Sequence, residues 1–211
     1  MTTSYLTIKN TSSHEINIQK SRFIGFIYRV TEEKEVTSIM QQIKKQHHQA
    51  NHHCYAYVIG DNNQIQKASD DGEPSGTAGV PILNVLKNNE LKNTLLIVTR
   101  YFGGVKLGAG GLIRAYSKTA SLAIKSAKIV KCQWMEKVAL TIDYTLFGKV
   151  EHSLVSSNYL IKNIKYSENV TLNILVESND IDNFIKEMKN ITSNQMTLEK
   201  LGGVFYEKEL P

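Results

Sequence analysis

The chain has 211 residues, 41% of them hydrophobic and 21% charged, with a formal net charge of +5. That is the make-up of an ordinary globular protein, long enough for one large domain or two small ones. No run of about 18 apolar residues occurs, so no membrane helix is expected; the start, Met1 to Tyr5, lacks the charged-then-apolar pattern of a secretion signal; and Cys54 and Cys132 are too far apart for a disulfide framework, a CxxC pair or a zinc site. The expected location is the cytoplasm, with no cofactor.

Glu15 to Ile18 and Arg22 to Val30 read as strands, the second rich in β-favouring side chains from Phe23 to Val30. Thr31, followed by Glu32, Glu33 and Lys34, predicts a cap and acidic first turn for a helix to about Gln46. Its apolar positions Val36, Ile39, Met40 and Ile43 fall at helical spacing. His53 to Ile59 is a predicted strand, and Gly60 to Asn63 a turn leading into Gln64 to Ala68 as a hairpin.

A helix is expected over Thr77 to Leu86, with Pro81 tolerable only in its first turn. Thr94 to Thr99 is a short apolar run of the kind found in buried strands. A glycine-rich loop follows, then a helix from about Gly110 to Ala127. Leu112, Ala115, Tyr116, Thr119, Ala120 and Ala123 give it a small apolar face suited to close packing on a sheet. Ile129 to Trp134 closes this half as a strand.

From Lys137 the pattern reads strand (Val138 to Tyr144), helix (Phe147 to Ser157), strand (Leu160 to Tyr166) and strand (Val170 to Glu177). A helix capped by Asn179 or Asp180 then runs to about Asn190, and Met196 to Phe205 is a last strand. This βαββαβ order is the ferredoxin-like arrangement. The expected architecture is α+β, with two α/β sandwich domains at residues 1–136 and 137–211. Charge divides the same way. Eight lysines against ten acidic residues leave residues 137–211 at −2, so residues 1–136 carry +7. Such an asymmetry suits contact with a polyphosphate, or a solvated lysine-rich surface.

Asp70 to Thr119 holds eight of the 13 glycines and two of the three prolines. Within it, Arg100 to Gly111 joins a strand to a helix start, where unpaired backbone N–H groups and the positive helix end favour an anion. Arg100, Lys106 and Arg114 add fixed positive charge. The candidate phosphate- or RNA-binding set is Arg100, Gly103, Gly104, Lys106, Gly108, Gly110, Gly111 and Arg114; the alternative is a structural turn with close helix–strand packing. It is not a nucleotide P-loop, because Ala109-Gly110 stand where Lys-Ser/Thr is required, nor GxGxxG, because Ile113 replaces the last glycine. Arg100 to Leu107 also fails the aromatic pattern of an RNA-recognition motif.

Asp70, Asp71 and Glu73 form an acidic cluster. It pairs with Arg100, Lys106 or Arg114 or caps backbone N–H groups, contacts a partner, or holds Mg²⁺ for catalysis. EF-hand spacing is absent. Cys54 and His53 are adjacent and so point to opposite faces of a strand, which argues against a Cys–His nucleophile. No catalytic or metal-ligating residue is assigned; His53 and Tyr101 are possible supporting residues, and a His bonded to Asp70 or Asp71 is the expected state.

Three segments carry a resemblance: His53 to Tyr57; Asp70 to Gly79 with Pro81; and Arg100 to Tyr116. Together the chain resembles the YigZ/IMPACT family, in the bacterial branch with an IMPACT N-terminal domain followed by a ferredoxin-like domain. The resemblance implies a first domain of the fold shared by a ribosomal small-subunit protein and domain IV of elongation factor G. The tandem is similar to that factor's domains IV and V. It also implies translation regulation. Eukaryotic IMPACT proteins act in the amino-acid stress response, competing for the scaffold that activates an initiation-factor kinase. Three readings follow: a non-catalytic regulator contacting RNA or the ribosome, a protein-binding stress regulator, and a Mg-dependent enzyme acting on a phosphate-bearing or nucleotide substrate.

Overall fold

The computed structural model describes residues 4–157 and 159–210. Among these the protein is α+β, with two sheets and five helices. It divides into two compact units between Lys131 and Cys132, the residues from Lys208 onward grouping with the first.

The first unit runs β1 (Ser4–Ile8), β2 (Ser12–Ile18), β3 (Ser21–Arg29), α1 (Glu33–Gln46), β4 (His52–Ile59), β5 (Ile65–Ser69), α2 (Gly79–Asn88), β6 (Thr94–Tyr101) and α3 (Gly108–Ser126). Its sheet has the order β2-β3-β6-β4-β5, every neighbouring pair antiparallel. α2 and α3 cover one face: Ile82, Leu86, Leu112, Ala115, Tyr116 and Ala120 cluster with Phe23, Ile27, Cys54 and Val98. α1 covers the other, setting Val36, Met40 and Ile43 against Tyr57, Ile59, Leu95 and Ile97. β6, central and covered on both sides, is buried from Thr94 to Arg100, which is why its sequence is continuously apolar rather than alternating.

The differences from expectation are a missed strand, a pair of strands that prove to be one, and several element ends. The predicted elements leave β1 out, yet Ile8 is fully buried there. The cap of α1 is Glu32 rather than Thr31, because the Glu35 carboxylate reaches back to accept the N–H groups of both. α3 starts at Gly108, two residues early, so Gly108, Gly110 and Gly111 form its first turn.

β7 (Ile129–Ile142) joins two predicted strands into one and runs from the first unit into the second, with Glu136 in its interior. α4 (Tyr144–Ser156), β8 (Leu160–Tyr166), β9 (Val170–Glu177), α5 (Ile181–Ile191) and β10 (Met196–Glu209) complete the chain. Tyr144 belongs to α4 rather than to the strand before it, because the Asp143 carboxylate accepts the Thr145 N–H at 2.8 Å and starts the helix there. The second sheet has the order β1-β7-β9-β8, with β10 also paired to β7. The four strands β7 to β10, with their βαββαβ connectivity, are ferredoxin-like. Val138, Leu140, Ile142, Leu172, Ile174, Val150, Leu154 and Phe184 form the core of this unit. No described helix is long and apolar enough to cross a membrane.

Candidate functional site

The antiparallel register sets Arg100 of β6 opposite Phe23 of β3 and His52 of β4. The side chain therefore lies mid-sheet, under α3, and is only 5% exposed. Its Nη1 donates to Glu73 Oε1 at 2.6 Å, and the same oxygen accepts the Tyr116 hydroxyl at 2.8 Å. Arg100 Nη2 lies 3.4 Å from Ser21 Oγ, and the guanidinium sits 5.4 Å from the rings of both Phe23 and Phe102. Glu73 is 8% exposed and His52 Nε2 lies 3.9 Å from it. Arg100, included above among the phosphate-binding residues, is thus inside the protein and spent on Glu73.

The other acidic residues are equally committed. Asp70 accepts backbone N–H bonds from Gly76 at 2.9 Å, Ala78 at 3.0 Å and Gly79 at 2.8 Å, closing the start of α2. Burial raises its pKa, but the three N–H donors outweigh that and hold it below the ordinary carboxylate value. Asp71, in the left-handed backbone region at φ 41°, accepts the His53 N–H at 2.7 Å and the Lys44 ammonium at 3.2 Å. No group of three or more His, Cys, Asp or Glu placed to hold a metal occurs among the described residues.

The His53 ring meets Thr99 Oγ1 at 3.1 Å rather than a carboxylate, because Asp71 takes the His53 main-chain N–H instead. Burial pushes its pKa down. Cys54 is fully buried, donates to the Asp70 carbonyl at 2.9 Å, and has its thiol pushed up to about 12 by burial. It stays protonated and unreactive at neutral pH. Tyr101 alternates to the opposite sheet face from Arg100, where its hydroxyl meets His47 Nδ1 at 2.8 Å and Arg22 covers its ring. It does not reach the loop.

The glycine loop itself is open. Phe102, Gly104, Val105, Lys106, Gly108, Ala109, Gly110, Ile113 and Arg114 are exposed. Gly103 is not part of that surface: a Cβ there would lie 2.0 Å from the Lys20 carbonyl oxygen, so the loop root is pressed against the turn joining β2 to β3. Gly110 is different. A Cβ there would meet nothing closer than the Arg114 guanidinium at 3.9 Å, so the fold itself does not require a glycine. Leu107 stands at the cap position of α3 with no side-chain cap bond, and the first turn holds no acid. Its first N–H groups therefore face outward at the positive end of a 19-residue helix.

Three cations at this surface escape a motif-centred reading. Lys20 arrives from the β2–β3 turn through the Gly103 contact. Lys118 and Lys125 lie four and eleven residues after Arg114, which places all three on one face of α3, and all are exposed. The signal was present as an absence: between Glu90 and Glu136 the sequence has no acidic residue but eight Lys and Arg.

A sequence profile of the Impact N-terminal domain matches residues 19–124, which include both loops and α3 up to Ile124. The chain is 49% identical over 205 residues to the IMPACT family member YvyE of Bacillus subtilis, covering 97% of this chain and 94% of that one. The chain belongs to the IMPACT family. A profile of a domain of unknown function matches residues 140–195. The IMPACT family member YigZ of Escherichia coli is 29% identical, over 86% of this chain and 90% of its own. A solved structure titled as that of a hypothetical protein superposes with a TM-score of 0.62 at 28% identity, covering 94% of this chain and 97% of the other. This IMPACT family member thus keeps the two-domain arrangement along its length.

Two outcomes test the internal network. Glu73→Ala leaves the Arg100 charge buried and unpaired, and urea unfolding should show a loss of about 3–5 kcal/mol. Asp70→Asn should lower stability at neutral pH by about 1 kcal/mol, the usual worth of a helix cap. Because the folded pKa of Asp70 is depressed, its contribution is full above the unfolded value and is lost as pH falls through the folded one. The gap between wild type and variant should therefore close on acidification below about pH 4.

Proposed function

We propose that this protein is a non-catalytic regulator of translation that contacts RNA, free or in the ribosome, through the loop 104–111 and the adjoining face of α3. Membership of the IMPACT family is consistent with a regulatory protein. The observation that carries the RNA reading is the start of α3: uncapped, acid-free, exposed, and flanked by Lys20, Lys106 and Arg114. Amide donors at a helix end bind phosphate oxygens, and the neighbouring cations neutralise the backbone charge. Gly110 supports the same reading, since an exposed helical glycine with no internal reason leaves room for another molecule to approach the backbone. The stripe Arg114, Lys118 and Lys125 extends the positive surface along the helix, as a strand of phosphates needs.

The enzyme reading is weaker. The carboxylates that a Mg-dependent reaction would use are already engaged, by Arg100, Tyr116, Lys44 and the backbone donors of residues 53, 76, 78 and 79.

Co-sedimentation with ribosomes and binding to purified RNA test the proposal. With about four phosphates neutralised, log K should fall against log salt with a slope near −3. The Lys106→Glu/Arg114→Glu variant should fold as wild type, lose most of its recovery with RNA, and show a shallower slope. Equal recovery, or binding indifferent to salt, rejects the proposal; so does a partner retained in full after nuclease treatment. Gly110→Ala separates binding from folding. It should raise stability by about 0.5–1 kcal/mol, the helix-interior advantage of alanine, while weakening RNA binding.

A further inference from the structure

Phe102 is 46% exposed, at the point where the chain leaves β6. A large apolar ring held in water has a cost, and this one is not left to swing. Its backbone N–H donates to Asn51 Oδ1 at 2.8 Å, and the next residue, Gly103, is locked against the Lys20 carbonyl and lies 3.3 Å from Ser21 Oγ through its own N–H. The Arg100 guanidinium lies over the Phe102 ring, 5.4 Å from its centroid, and over the buried Phe23 ring of the neighbouring strand at the same distance. One cation thus ties the exposed ring at the loop root to a ring of the core. Phe102 keeps a cation partner on the protein side while nearly half of it stays open to solvent.

We infer that Phe102 is a stacking platform for an unpaired base, so that the RNA recognised is single-stranded or looped rather than continuous duplex. The inference rests on the RNA reading above and specifies its substrate class. A phosphate cradle alone would take either form, because both present the same backbone anions. A duplex hides the faces of its bases in the stack, whereas a single strand offers them. The platform lies on the same connection as Lys106 and the start of α3, so one nucleotide strand can place a base on Phe102 and its phosphates on the neighbouring amides and cations. Stacking of this kind reads no sequence, since every base has a π face.

The test compares the full-length protein binding a labelled single-stranded RNA, the same RNA annealed into a blunt duplex, and an abasic oligonucleotide of equal length. Wild type should bind the single strand roughly tenfold more tightly than the abasic strand, the effect expected of one aromatic–base stack. Phe102→Leu, which keeps apolar bulk without a π face, should lose that tenfold on the single strand and leave duplex binding and the salt slope unchanged. Phe102→Trp should restore the preference, with its fluorescence quenched on binding. If abasic and natural strands bind wild type equally, or if Phe102→Leu weakens single strand and duplex alike, the platform is refuted while phosphate docking stands. If wild type binds none of the three probes, the RNA reading itself fails and the platform falls with it. The abasic comparison needs no variant, so a folding defect in Phe102→Leu cannot blur the outcome.

Discussion

Arg100 shows 5% of its surface to solvent, and a guanidinium brought that far out of water must recover its lost hydration from its neighbours. Glu73 supplies the recovery at 2.6 Å, Tyr116 shares the same carboxylate oxygen, and the cation lies over the Phe23 and Phe102 rings. The partners come from different places: Arg100 from β6, Glu73 from the loop before α2, Tyr116 from α3. One ion pair therefore fixes a strand, a loop and a helix against each other. The direction in which the chain leaves β6, and so the position of the glycine loop, follows from it.

The same pairing sorts charge. An acidic loop and a basic loop in one domain would be expected to neutralise each other if both lay at the surface. Here Glu73 turns inward, while Asp70 and Asp71 are taken up by backbone N–H groups and by Lys44. The cations Lys20, Lys106, Arg114, Lys118 and Lys125 remain outside. No acidic residue between Glu90 and Glu136 accompanies the four of these cations that lie in that stretch.

Glycines in the loop have unlike roles despite their shared sequence context. Gly103 is required by the fold, because the Lys20 backbone occupies the space of a side chain. Gly104 and Gly108 adopt positive φ, at 82° and 68°. Gly110 satisfies neither condition: a side chain there would meet open space rather than packing. A motif scored as a block hides that distinction.

Periodicity and turn chemistry were enough to place most of the elements in order, the α+β class and the ferredoxin-like second domain, because strands and helices each write a repeat that local residues enforce; they left β1 out and read β7 as two strands. The family resemblance was equally legible, being carried by contiguous segments. Element ends were not: Glu35 reaching back past Glu32 and Asp143 catching Thr145 are side-chain choices that hydrophobic periodicity does not register. Nor could the sequence say which of Arg100, Lys106 and Arg114 is internal. All three are cations beside glycines, and only the β3-β6-β4 register puts Arg100 beneath α3 while Lys106 and Arg114 stay in water. Lys20, some eighty residues earlier, joins the loop only because two backbones meet at Gly103. Local repeats determine what elements form; which charges are buried depends on contacts between residues far apart in the chain, and those exist only once the sheet is assembled.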